Sequence, residues 1–193
     1  MFSFFKKKER PADPPPVLVP RIKHTNFLTT LDGLPGVTDV PECSRPIVEP
    51  LAGDLVLSYA MDIGPSYVSV TPASLAEYGL DPTTLRQQAL ANGLEALKSL
   101  SVRTNDVVFE LVAPDNMAAC TMLFPEFWEQ TRNELDSPVV AAFPHRDFVL
   151  YARDDAAGTA ALREIIASLN FDETHALSKL LYYPARDGWR AAA

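Results

Sequence analysis

Two pairs of apolar runs in this chain are separated by connections too short for anything but a reversal of direction. Residues 55–61 are followed, after Asp62-Ile63-Gly64-Pro65-Ser66, by Tyr67-Val68-Ser69-Val70. Residues 139–143 are followed, after Pro144-His145-Arg146-Asp147, by residues 148–152. Runs rich in β-branched and aromatic residues, bounded by Gly, Pro and Asp, read as strands. A parallel neighbour would need a crossover of about a dozen residues or more, so both pairs must run antiparallel. A third hairpin is predicted from residues 180–183 to Trp189, turning at Arg186-Asp187-Gly188. Residues 107–112 form a further predicted strand that stops at Pro114-Asp115-Asn116. The apolar stretch 117–124 then reads as a strand returning through that Asp-Asn turn.

The helices fall between these hairpins. Thr71-Pro72 places a capping hydroxyl before a proline suited to a first helical position, and Gly79 closes that short helix. Asp81-Pro82 repeats the signal and opens the longest predicted helix, about residues 82–99, with Leu85, Ala89, Ala96 and Leu100 on one face. Pro125 starts another, to about Glu134, and residues 156–168 form an amphipathic helix with Leu162, Ile165 and Ile166 inward. Helices inserted between hairpins, instead of after every strand, predict an α+β fold. The expected architecture is a mainly antiparallel sheet of hairpins packed against about four helices, as one domain of 193 residues.

The first quarter of the chain reads differently. Nine of the 17 prolines fall in residues 1–50, and proline removes a backbone donor and restricts its predecessor. Residues 1–16 are expected to be a disordered, proline-rich basic leader, and residues 17–50 an irregular segment packed on the domain formed by residues 51–190. Cys43 and Cys120 stand far apart without CxxC spacing, which signals neither a disulfide framework nor a zinc site and points to a cytoplasmic protein. No apolar run approaches the roughly 20 residues of a membrane span, so no integral membrane segment is expected. Of the formal charge of −8, residues 1–23 carry +4 and the remainder −12. An acidic body repels phosphate backbones, which argues against nucleic acid, and it suits a basic protein partner.

The run Gly53-Asp54-Leu55-Val56-Leu57-Ser58-Tyr59-Ala60-Met61-Asp62, followed by Leu80 and then Ala91-Asn92, resembles the YtpQ-like bacterial proteins, a family named as a domain of unknown function. Trp128, the Pro144-His145-Arg146-Asp147 junction, Leu177-Ser178 and Arg186-Asp187-Gly188-Trp189 extend the resemblance, in the same order, over most of residues 50–190. One departure is Gly93, where the family usually carries leucine after the helix asparagine. Glycine costs about 1 kcal/mol in a helix interior, so the helix is expected to be weakest there. The resemblance implies a small intracellular domain and brings no chemistry with it.

Candidate chemistry is sparse. Pro144-His145-Arg146-Asp147 could set a proton carrier beside an anion clamp, or could be a turn in which Asp147 caps backbone donors. His24, His145 and His175 are the three histidines, and none lies at i, i+4 spacing to another, so no metal and no cofactor are expected. Asp54 and Asp62 flank the first strand at a distance that forbids joint acid–base work. They, with Phe127 and Trp128 near Pro125, are the candidate binding residues. The leading expectation is a non-catalytic protein-binding domain, an inhibitor or immunity-type partner using an acidic surface. The alternative is an enzyme centred on His145, Arg146 and Asp147.

Overall fold

A computed structural model describes residues 16–32, 40–64, 66–171 and 175–192. The expected leader therefore lies, but for its last residue, outside the described residues, as does the final alanine. Among the described residues ten strands build two antiparallel sheets and five α-helices accompany them, which gives the α+β class that the short connections require.

The first sheet holds β1 (Val17–His24), β2 (Val48–Ala52), β3 (Leu55–Asp62) and β4 (Tyr67–Ser69). β3 lies in the middle, with β1 along one side and β2 and β4 along the other. β1 is a correction to the sequence reading, because it falls inside the stretch expected to be irregular. Its proline, Pro20, is tolerated on an outer strand, where a missing donor breaks no ladder. The outward carbonyl of Pro20 instead accepts from the Cys120 thiol at 3.4 Å.

The second sheet has the order β10-β9-β7-β8-β6-β5, from β5 (Ser101–Thr104), β6 (Val108–Val112), β7 (Val139–Ala142), β8 (Phe148–Arg153), β9 (Leu181–Ala185) and β10 (Gly188–Ala192). α5 (Ala156–Ser168) covers one of its faces, burying Leu162 and Ile166 against Val140, Ala142, Leu150 and Ala152. The other face meets the first sheet in a shared core that joins Ile22 and Leu55 to Leu111, Phe143, Tyr182 and Trp128. Trp128 comes from α4 (Pro125–Leu135).

α1 (Asn26–Asp32) follows β1 directly. α2 (Pro72–Tyr78) carries the cap read from sequence: Thr71 and Ser74 exchange side-chain and backbone bonds at 3.1 and 2.9 Å, and Gly79 turns left-handed at φ 62°. α3 (Leu85–Ala96) begins later than expected, because Asp81 accepts from Thr83 N–H at 2.8 Å and spends residues 81–84 on a turn. It runs unbroken through Gly93, whose missing side chain lets Pro20 of β1 pack on it; a Cβ there would stand 2.7 Å from Pro20 Cγ.

Residues 117–124 are not a strand. Ala118–Leu123 is a 3-10 helix, and Ala118 to Met122 are all buried. A half-exposed strand would alternate; a segment enclosed on every side satisfies its backbone locally, as Cys120 N–H does on Met117 C=O at 2.9 Å. No helix among the described residues is long and apolar enough to cross a membrane.

Candidate functional site

Alternation along β1 decides what the site contains. Leu18 and Ile22 point into the core, so Arg21 and Lys23 share the opposite face. Across the ladder Arg21 lies against Ser58, and Ala60, two residues on, lies against Ser69. These small side chains leave room above the sheet, and a cleft of about 290 Å³ opens there. Arg21, Lys23, Arg146 and His175 line it, with Asn116 and Tyr67.

Arg21 is only 4% exposed and is fixed on several sides. Its Nη1 donates to the carbonyls of Asp115 at 2.6 Å and Asn116 at 3.2 Å, and its guanidinium lies 3.8 Å from the Tyr67 ring centre. Asp115 and Asn116 hold φ of 57° and 59°, and two consecutive left-handed residues turn both carbonyls toward one donor. Lys23 stands at the end of β1 with its ammonium 4.8 Å from the Phe27 ring centre.

The opposite wall is the junction between β7 and β8. Residues 143–146 continue the line of β7 beside residues 175–178: Ser178 N–H donates to Phe143 C=O at 3.1 Å, Leu177 N–H to Pro144 C=O at 2.8 Å, and Arg146 N–H to His175 C=O at 3.1 Å. His145 pairs with Ala176 in the same short ladder. The His145 and His175 rings lie 5.6 Å apart, and His145 stacks on Phe148 at 5.5 Å. His145 Nδ1 lies 3.5 Å from Asp147 Oδ2 and accepts from Asp147 N–H at 3.3 Å.

Among the described residues, none of Arg21, Lys23 and Arg146 forms an ion pair, in a chain with 25 acidic side chains against 17 basic ones. Arg146 Nε and Asn116 Oδ1 are buried without a hydrogen-bond partner there. Like charges held together without an ion-pair partner show in their acidity. Burial, then the nearby guanidiniums of Arg146 and Arg21, pulls the Lys23 ammonium down to about 8. Burial and Arg21 likewise lower Arg146, against a smaller opposing pull from Asp147. His175 is lowered by burial and then by Arg146.

The structure thus brings Arg146 of the predicted junction into a cleft with Arg21, Lys23 and His175, which sequence reasoning did not connect to it. His145 and Asp147 stand behind that wall. His24 goes elsewhere, pairing through Nε2 with Asp54 Oδ2 at 3.2 Å, while the other oxygen of Asp54 accepts from Tyr182 Oη at 2.6 Å. Asp62 ends β3 and accepts from Gly64 N–H at 2.8 Å. Trp128 is 1% exposed and donates Nε1–H to Thr121 C=O at 2.8 Å, which makes it a core residue and no surface anchor. Phe127 packs half-buried against the same core, edge-on to Trp128 at 5.2 Å. No family model, curated protein or solved structure matches this chain.

Proposed function

We propose that the protein is a binding domain for a small ligand carrying a phosphate or carboxylate group, held in the cleft between β1 and the β7–β8 junction. One observation carries the reading: an acidic protein gathers Arg21, Lys23 and Arg146 around one cavity and gives none of them an acidic partner among the described residues. Three cations left together repel one another, and a desolvated cation without a counter-charge beside it is unfavourable. An anion in the cleft removes both costs. Guanidinium groups grip phosphate and carboxylate through paired N–H donors, and Lys23 adds a point charge. This reading moves the contact from the acidic exterior expected from sequence to a basic interior. The YtpQ-like resemblance supplies no chemistry to set beside it.

The test is thermal unfolding with added phosphate against chloride of matched ionic strength. A ligand present at a hundredfold excess over Kd stabilises the folded state by about 3 kcal/mol, which is several degrees for a chain of this size. Arg146→Met should weaken binding roughly 10- to 100-fold, the worth of about 1.5–3 kcal/mol for a hydrogen bond to a charged group. Equal responses to phosphate and chloride, or an unchanged response in Arg146→Met, overturn the reading. A catalytic reading centred on His145, Arg146 and Asp147 rests on the 3.5 Å approach of His145 to the Asp147 carboxylate beside the anion clamp. It requires turnover of a bound phosphate ester, which the same preparations report.

A further inference from the structure

At the wall of the anion cleft, two imidazoles and a carboxylate converge. One donor atom from each of His145, Asp147 and His175 lies within 4.8 Å of the other two. The convergence is built by backbone and not by chance rotamers. The ladder that pairs His145 with Ala176 and ties Arg146 N–H to His175 C=O sets the two histidines on adjacent extended segments. Stacking on Phe148 orients the His145 ring. Asp147 Oδ1 is buried with no hydrogen-bond donor among the described residues, so one oxygen of this half-exposed side chain is left for a cation.

We propose that His145, Asp147 and His175 hold a divalent transition-metal ion. Two imidazoles and one carboxylate suit zinc and its first-row neighbours, and leave one or more coordination positions open. With metal–donor bonds of about 2.0–2.1 Å, tetrahedral ligands stand roughly 3.3 Å from one another. His145 Nδ1 and Asp147 Oδ2 are already at 3.5 Å and all three donors lie within 4.8 Å, so closing the triad draws the donors together by about 1.5 Å or less and replaces the Asp147 N–H that Nδ1 accepts. Arg146 and Lys23 would oppose a bare cation. An anion bound between them reverses that field and can complete the coordination, so metal and anion should strengthen each other by the same factor. The metal site goes beyond the anion reading and stands or falls without it.

The experiment uses the full chain without an affinity tag, stripped with chelator and titrated with Co²⁺ near neutral pH, with visible absorption as the readout and phosphate absent and then present. One equivalent of Co²⁺ should bind with a saturable visible band. His145→Gln and His175→Gln should each weaken it by more than the roughly 10- to 100-fold that loss of an outer-shell partner costs. Melting of the metal-free variants separates loss of a ligand from loss of the fold. Absence of a saturable band, or a band that survives in folded His145→Gln and His175→Gln alike, overturns the site. Phosphate stabilisation that depends on Lys23 and Arg146 without any cobalt signal overturns the metal site and leaves the anion reading standing. Cobalt binding that ignores phosphate supports the metal site and overturns the coupling between metal and anion.

Discussion

If the cleft keeps Lys23 for a ligand and not for the fold, removing its charge should make the protein more stable. Lys23→Met is the cleanest case, since the thioether keeps the aliphatic stem beside Phe27 and removes only the charge. Lys23 falls from an ordinary 10.5 to about 8 through burial and then the charges of Arg146 and Arg21. At about 1.4 kcal/mol per tenfold change in proton affinity, that difference sets a ceiling of roughly 3 kcal/mol. Solvent at the mouth of the cleft screens a partly exposed amine, which leaves about 1–2 kcal/mol. Losing the ammonium over the Phe27 ring subtracts about 0.5 kcal/mol, too little to change the sign. The variant should therefore melt about 2–4 °C higher at pH 7. The advantage must also depend on pH. Below about 8 the lysine is charged in the folded and unfolded chains alike, and the full cost is present. Between about 8 and 10.5 the folded chain has released the proton and the unfolded chain still holds it, so wild-type stability rises with pH. The gap between variant and wild type should close toward pH 10. Paired thermal melts at pH 7 and pH 10 measure this. A variant that melts lower at pH 7, or a gap that stays constant with pH, would refute the argument that Lys23 is held at a cost.

Arg21→Met should act in the opposite direction, destabilising by about 2 kcal/mol in urea denaturation, because it strands the Asp115 and Asn116 carbonyls that Nη1 serves. Its burial makes it the structural member of the cluster, and a neutral or stabilising result would show that those carbonyls find another donor. Gly93→Ala should lower stability by about 1–3 kcal/mol, since the added Cβ would stand 2.7 Å from the Pro20 ring on β1. Helix propensity alone argues for a gain of about 1 kcal/mol, so the sign of the measured change decides between the two effects.

How far the sequence reached depends on the range of the interactions involved. The hairpins of β3 with β4, β7 with β8, and β9 with β10 were legible because a short connection leaves one pairing, and their registers follow from it. The Thr71 cap is equally local; the Asp155 cap of α5, which accepts from Gly158 N–H at 2.8 Å, is just as local and was not read. β1 was hidden because its strand partner lies beyond a proline-rich stretch, and proline density argues against regular structure unless an outer strand is available to hold it. Leu18 and Ile22 share one face of β1, but Val17 and Val19 on the other face are apolar too, so no clean alternation marked the strand. Residues 118–123 misled for the converse reason, since an apolar run buried on all sides carries no period to read.

The candidate site was half legible for a related reason. His145, Arg146 and Asp147 are neighbours in sequence and announce themselves, but the residues that gather around them arrive from both ends of the fold. His175 comes through the ladder beside residues 143–146, and Arg21 and Lys23 come through β1. Charge bookkeeping worked against finding them, because the two cations were counted with the lysines of the leader and the acidic remainder suggested an acidic contact. Net charge sums mostly solvated groups, each of which is screened within about 10 Å. A site depends instead on the few charges that burial removes from that screening, and here those have the sign opposite to the total. Position on a strand face, which places Arg21 and Lys23 two residues apart on one side of β1, sets the sign of charge at the cleft where the sum does not.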